Sequence, residues 1–399
     1  MKNRKEYLNK LIAFKDKSQI KVITGVRRCG KSSLLHLFNE YLQSEGVHLE
    51  NIVHLNFELE TYRNILDHRD LYDFLKQRID STSGKVYLLL DEIQNIKSWE
   101  KAINSLNIDS DVDIYLTGSN AYLLSSELST LLSGRYVEIA MLPLSYKEFL
   151  DFNSLTSTVQ NFELYLKYGG MPAVSEYSFD DRSINIMLDG IYSTTMIKDV
   201  LERNSVNNER LLRNLVLFLA DNIGNVTSPH SIANYLLSNK EIDSTNHITI
   251  DTYLGYLEKA FIFYPVSRYD IKGKEYLKTL QKHYIVDIGI RNMLLGYRDI
   301  DRGHILENVV YLELLRRGYD IAIGKVGSKE VDFVATRPDE KIYFQVTESL
   351  LDSAVREREL SALRSIKDNY EKVVLSMDSN FVTSDNGIKL KNIIDFLLE

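Results

Sequence analysis

Over the first 140 positions, apolar strand-like runs alternate with stretches of helical spacing. Residues 1–19 form a short charged segment of helical type, leading into Ile20-Lys21-Val22-Ile23-Thr24, which reads as a buried strand. Leu34, Leu35, Phe38, Tyr41 and Leu42 then recur at helical spacing. Ile52–Phe57 is a second strand and residues 66–80 a helix. Val86-Tyr87-Leu88-Leu89-Leu90 is a continuous apolar run, the pattern of a strand buried on both faces. Asp113–Thr117 and Tyr136–Ala140 read as the fourth and fifth strands. Strands alternating with helices predict a parallel sheet covered on both sides.

After Pro143 the pattern turns helical through residue 220, with one break at Gly169-Gly170-Met171-Pro172. Residues 209–270 read as three helices and a hairpin. Ser228-Pro229 opens the second helix, Thr249 opens the third, and the hairpin turn holds Lys272-Gly273-Lys274. That is the outline of a winged helix. From residue 283 a helix near 304–316 precedes strands near 319–324, 330–335 and 341–347, a charged helix over 354–368 and the strand Lys372–Ser376. There are no internal repeats.

At 399 residues the chain exceeds one ordinary core, so two to four domains are expected. A net charge of −8 argues against a general attraction to nucleic acid or anionic lipid and leaves room only for a local basic face. The one cysteine excludes an internal disulfide and a cysteine-rich zinc site, and fits a reducing compartment. No apolar run approaches the roughly 20 residues of a membrane helix, and the basic N-terminus lacks a signal-type apolar stretch. The expectation is a cytoplasmic protein with no membrane partner. The 25 tyrosines are read as core packing.

Chemistry concentrates at Gly25-Val26-Arg27-Arg28-Cys29-Gly30-Lys31-Ser32, followed by Ser33. It satisfies G-x-x-x-x-G-K-[ST] between a strand and a helix. Backbone N–H groups of such a loop cradle phosphates, the lysine reaches the β- and γ-phosphates, and the serine hydroxyl ligates Mg²⁺. Asp91-Glu92 ends an apolar strand, where the aspartate would hold Mg²⁺ and the glutamate would polarise the attacking water. Thr117-Gly118-Ser119-Asn120 ends the adjacent strand, with Ser119 or Asn120 as the polar contact to the γ-phosphate; a capped helix start is the alternative. Arg135 precedes the fifth strand, a place from which an arginine reaches a γ-phosphate in its own subunit or a neighbour's.

Together with Leu88–Asn95, Ser133-Gly134-Arg135 and Leu142–Phe149, these motifs resemble prokaryotic AAA+-type P-loop ATPases. Gly169–Pro172, Asp287–Asn292, Glu307-Asn308 and Glu330–Phe333 resemble the subgroup with an uncharacterised C-terminal domain of PD-(D/E)XK nuclease-like type. The resemblance implies an α/β fold: a P-loop NTPase parallel sheet, then a helical lid, a winged-helix segment and a small restriction-endonuclease-like domain. The expected divisions are 1–144 for the ATPase core, 145–205 for the lid, 206–282 for the winged-helix-like segment and 283–399 for the nuclease-like domain.

In that last region Glu307, Asp332 and Gln345 follow the nuclease order and are expected to converge. Active members of that class carry a second carboxylate where Gln345 stands and a lysine where Thr347 stands. The site is therefore expected to be degenerate, with Lys341 or Lys325 as candidate replacements. The helix opening at Thr249 is not basic, so DNA contact is expected through the wing residues Arg268, Lys272, Lys274, Lys278 and Lys282; a solvated hairpin in a protein-docking module is the alternative. The resulting expectation is an ATP- and Mg²⁺-dependent ATPase that couples nucleotide state to its C-terminal half, with a protein partner or an oligomer as further possibilities. The alternatives are a nucleotide-gated scaffold and an ATP-dependent nuclease.

Overall fold

The computed structural model describes residues 4–120, 135–239, 245–298, 301–379 and 383–399. The chain divides into two units, one of residues 1–141 with 259–261 and one of residues 142–258 with 262–399.

The first unit contains α1 (Lys5–Ala13), β1 (Ile20–Thr24), α2 (Lys31–Ser44), β2 (Ile52–Asn56), α3 (His68–Asp80), β3 (Val86–Asp91), α4 (Trp99–Asp109), β4 (Val112–Gly118) and β5 (Tyr136–Ala140). The five strands form a parallel sheet in the order β2-β3-β4-β1-β5. Every residue of β1 and β3 is buried, as their near-continuous apolar runs require. Within β1 the one charged residue is Lys21. Its ammonium pairs with Asp113 on β4 and donates to the Lys17 carbonyl at 2.8 Å, while Asp113 also accepts from the Tyr115 hydroxyl at 2.9 Å. α3 begins where Asp67 and Asp70 cap each other's backbone, fixing the helix entry. β1 lies between β4 and β5, so the strand order reverses beside it and its C-terminal end opens a crevice.

The second unit begins with α5 (Tyr146–Asn153), α6 (Val159–Tyr168) and α7 (Asp181–Thr195), the last continuing as a π-helical turn over Met196–Leu201. Next come α8 (Glu209–Asp221), β6 (Val226–Thr227), α9 (Pro229–Ser238), α10 (His247–Lys259), β7 (Phe263–Asp270) and β8 (Glu275–Ile285). The remainder is α11 (Ile288–Leu295), α12 (Arg302–Arg316), β9 (Asp320–Val326), β10 (Lys329–Arg337), β11 (Glu340–Val346), α13 (Ser353–Arg364), β12 (Glu371–Ser376), β13 (Ser384–Asp385), β14 (Ile388–Asn392) and α14 (Ile393–Leu398). Its strands form one mixed nine-stranded sheet, β13-β14-β12-β11-β10-β9-β7-β8-β6. The division expected at 282/283 therefore falls inside β8. The hairpin β7–β8 is continuous with the later strands because Arg268, Tyr269 and Asp270 pair in parallel with Ile323, Gly324 and Lys325.

Two motifs with no chemical reading prove to be one joint. Asp287 caps α11, accepting from Ile290 N at 3.0 Å, and also accepts from Gly170 N at 2.6 Å. The same motif supplies Asn292, which donates to the Leu166 and Lys167 carbonyls at 2.9 Å each. It also supplies the fully buried Arg291, which donates to the Ala220 carbonyl at 2.9 Å and pairs with Asp301 at 2.7 Å. The side chains of Asp287 and Asn292 thus tie α11 to the backbone at the end of α6.

Candidate functional site

The loop after β1 is bent by three residues of positive φ: Gly25 at 141°, Arg28 at 61° and Gly30 at 107°. At Gly25 no side chain fits, since a Cβ would sit 2.1 Å from the Met141 carbonyl oxygen. α2 starts directly at Lys31. The Lys31 ammonium is buried and donates to the carbonyls of Gly25 at 2.9 Å and Val26 at 3.1 Å, so it lies inside its own loop. Val26 and Cys29 are buried beneath the loop. The Cys29 carbonyl accepts from the Arg4 guanidinium at 3.0 Å, a tie to the residue preceding α1 that the sequence pattern did not signal. Arg27 pairs with Glu58 at 3.0 Å. Ser32 is half-buried and Ser33 exposed on the first turn of α2.

Asp91 and Glu92 stand at the C-terminal edge of the same sheet, 1% and 6% exposed. Asp91 accepts from the Thr117 hydroxyl and, at 3.0 Å, from the Asn56 amide. Glu92 has a left-handed backbone, φ 53°, and its N–H donates to Thr117 Oγ1 at 3.0 Å. Thr117 therefore holds both acidic residues. Sequence reading passed over it in favour of its neighbours, although the pairing Leu90↔Leu116 places Thr117 level with Asp91. Asn56 is likewise set by its pairing with Asp91 across β2 and β3. The Ser119 hydroxyl donates to Glu92 Oε2 at 3.4 Å, and Asn120 is fully buried beside it in sequence. Desolvation raises the Glu92 carboxyl above the ordinary range, with Lys31 opposing the shift and Asp91 adding to it.

Arg135 lies elsewhere. Its carbonyl accepts from Ile20 N at 2.8 Å, at the start of β1, whereas the loop follows the end of β1. Five residues of strand separate those edges by about 16 Å, beyond the reach of an arginine side chain. The sequence left open whether Arg135 serves its own subunit's γ-phosphate or a neighbour's, and this distance separates it from its own loop. The preceding residues of its motif, Leu131–Gly134, lie outside the described residues.

In the second unit the nuclease-order residues do come together. Glu307 on α12 accepts from the Tyr284 hydroxyl at 2.6 Å. Asp332 on β10 accepts from Val346 N at 2.7 Å. Gln345 on β11 accepts from Asp332 N at 3.3 Å and donates to Glu359 at 2.7 Å. The cation among them is neither Lys341 nor Lys325 but Lys282, 3.0 Å from Glu307 and 2.8 Å from Glu330. Lys282 is 3% exposed, which corrects its assignment to a solvent-facing wing. Lys272 and Lys274 are exposed on the hairpin, and the side chain of Lys278 lies outside the described residues. Burial and the Glu307 charge push the Asp332 carboxyl well above the usual range, with Lys282 opposing. Among the described residues no group of three or more His, Cys, Asp or Glu is arranged to hold a metal ion. Among them, too, no helix is long and apolar enough to cross a membrane.

A five-stranded parallel sheet with a glycine-bent loop at its switch point and an acidic pair on the neighbouring crevice edge is the arrangement of a P-loop NTPase fold. Comparison with known proteins agrees. A family described as an AAA domain matches residues 17–150, and a domain of unknown function matches residues 159–301. An uncharacterised protein of Haemophilus influenzae is 42% identical over 403 residues, spanning 100% of this chain and 99% of that one. An uncharacterised protein of Methanocaldococcus jannaschii is 32% identical over 408 residues, spanning 95% and 87% respectively. The chain belongs to the family that these proteins represent. In fold it resembles a Walker-type ATPase of Pyrococcus abyssi, with a TM-score of 0.51 at 17% identity over 74% of this chain and 96% of that one.

Proposed function

We propose that the first unit binds and hydrolyses ATP and that the second unit responds to nucleotide state. The observation carrying this reading is the phosphate loop set on the same sheet edge as the buried Asp91–Glu92 pair. Residues 25–33 would wrap the phosphates, with the Lys31 ammonium exchanging its two loop carbonyls for β- and γ-phosphate oxygens. The Ser32 hydroxyl and the Asp91 carboxylate suit Mg²⁺, a hard cation that takes oxygen ligands and, when bound, neutralises phosphate charge. Thr117 and Asn56 hold Asp91 in place for that role. Glu92 takes a proton from water as the water oxygen attacks the γ-phosphorus; the bond to the bridging oxygen breaks and ADP leaves. Ser119 orients Glu92. If Arg135 has a part in hydrolysis, its distance from its own loop supports action on a neighbouring subunit's γ-phosphate.

Lys31→Ala should weaken ATP binding by at least about 10- to 100-fold, the worth of a charged hydrogen-bonding group, while the protein stays folded. Equilibrium titration with a fluorescent ATP analogue checks this. Wild-type affinity in the variant would remove the loop from the account.

We read the carboxylate cluster of the second unit as structural. Lys282 already pairs with Glu307 and Glu330, and Gln345 and Thr347 cannot replace a carboxylate and a lysine. Lys282→Ala should destabilise the second unit by about 3–5 kcal/mol, the usual cost of stripping a buried charge of its partner, as read by denaturant unfolding. Linear and supercoiled DNA incubated with the protein and Mg²⁺ or Mn²⁺ should remain intact. Cleavage that disappears in Asp332→Ala would contradict the structural reading.

A further inference from the structure

One end of the nine-stranded sheet carries a cluster that packing alone does not explain. The Lys341 ammonium lies 4.9 Å from the ring centre of Tyr269 and 5.4 Å from those of Tyr343 and Tyr370. Tyr269 in turn meets Tyr276 across the hairpin, ring centres 5.2 Å apart. Tyr343 is buried and Tyr269 half-buried, but Tyr276 is 63% exposed and Tyr370 52%. Two tyrosine rings of this cluster thus face solvent, Tyr370 beside the lysine and Tyr276 through Tyr269, at odds with reading the tyrosines only as core.

The charge around these rings is mainly positive. Lys341 and Tyr343 share a face of β11, and Tyr343 pairs with Lys372 on β12. Lys272 and Lys274 are exposed on the hairpin turn, and Lys325 is half-buried beside it. Among the described residues Lys341 has rings, not carboxylates, as its close neighbours. Its ammonium pKa is lowered by burial and by the approach of Lys274, with Asp368 opposing. The acids present are largely engaged. Asp270 accepts the Lys272 and Gly273 N–H groups at 2.9 and 3.0 Å. Asp368 accepts the Tyr343 hydroxyl at 2.6 Å and the Tyr370 N–H at 3.3 Å. Glu275 remains as an exposed acid at the edge.

We propose that this face binds single-stranded nucleic acid, with bases stacked on Tyr276 and Tyr370 and phosphates on Lys341, Lys274 and Lys272. Exposed aromatic faces interleaved with unneutralised cations are what an unpaired strand recognises, since every base offers a ring face and every linkage a negative charge. A duplex offers the charge but keeps its ring faces stacked inside. The proposal is independent of the nucleotide reading.

The test is fluorescence anisotropy of the full chain with labelled dT20, U20 and a 20-base-pair duplex. A single strand should bind more tightly than the duplex, and the preference between dT20 and U20 tells DNA from RNA. Neutralising three phosphates should make binding fall about 20-fold between 50 and 200 mM salt. Tyr276→Ala and Tyr370→Ala should each weaken binding roughly fivefold or more. Tyr276→Phe and Tyr370→Phe, which keep the ring, should bind like wild type. Lys341→Gln should flatten the salt dependence. Duplex binding at least as tight as single-strand binding, wild-type affinity in the double alanine variant, or no binding at 50 mM salt would each overturn the proposal.

Discussion

Glu92→Gln should retain ATP and lose its turnover, with kcat falling by about 10²- to 10⁴-fold, the range for removal of a general base. The substitution keeps the shape of the side chain. It leaves Asp91, with its bonds from Thr117 and Asn56, unchanged. It also leaves the Glu92 N–H on Thr117, so the left-handed backbone at φ 53° keeps its support. A strained non-glycine conformation held by a neighbouring strand is common where a functional side chain must be aimed. The same geometry sets a pH dependence. Burial raises the Glu92 carboxyl above its reference of 4.5. The basic form is then lost at a higher pH than for an ordinary glutamate, and the acid limb of kcat should be displaced upward in step. Single-turnover hydrolysis followed over pH reads both effects. Wild-type turnover in Glu92→Gln, or an acid limb at the ordinary glutamate position, would place the base elsewhere.

Gly289→Ala should unfold or severely loosen the second unit. A Cβ there would lie 2.0 Å from the Tyr168 carbonyl oxygen and 2.6 Å from its carbon, both backbone atoms that no rotamer change can move. α11 must retreat from the end of α6. The retreat pulls Asp287 off Gly170 N and Asn292 off two carbonyls, leaving buried polar groups unpaired at about 1–3 kcal/mol each. The expected loss exceeds about 4 kcal/mol, beyond what most single substitutions cause. Gly255→Ala is the control. It sits inside α10 with nothing within 4 Å of its would-be Cβ, and should be neutral or stabilising by up to about 1 kcal/mol. Asp287 adds a pH signature. Burial pushes its carboxyl up to about 6 from 3.8, against the backbone donors that favour the charged form. The folded state therefore binds the extra proton. The stability this group contributes is present below the unfolded value and falls as pH rises towards about 6. Chemical unfolding of the full chain, monitored for each unit because two units need not unfold together, measures all of this. Gly289→Ala as stable as wild type would contradict the joint.

The parallel sheet of the first unit was legible because β1 and β3 are short runs buried throughout, a pattern that permits little else, and the other strands alternate with helical stretches around them. The phosphate loop was legible because its glycines and lysine answer local demands of turn geometry and charge. Thr117, Asn56 and Arg4 were not legible. Their roles depend on register or on docking from a distant segment, and a threonine or asparagine in a strand has no spacing signature. The single sheet of the second unit was hidden for a similar reason. The β7–β9 contact joins strands separated by two helices, and three paired positions leave no periodic trace. Lys282 was misread because alternation along a hairpin does not say which face meets a carboxylate.

Phosphate release from Mg²⁺·ATP by the purified full chain, beside Lys31→Ala and Glu92→Gln, tests the central claim most directly. The account predicts steady turnover by wild type, little by Lys31→Ala because ATP is held weakly, and turnover lower by at least about 100-fold in Glu92→Gln although ATP is held. A wild type that binds ATP and releases no phosphate would contradict hydrolysis and make the protein a nucleotide-gated scaffold.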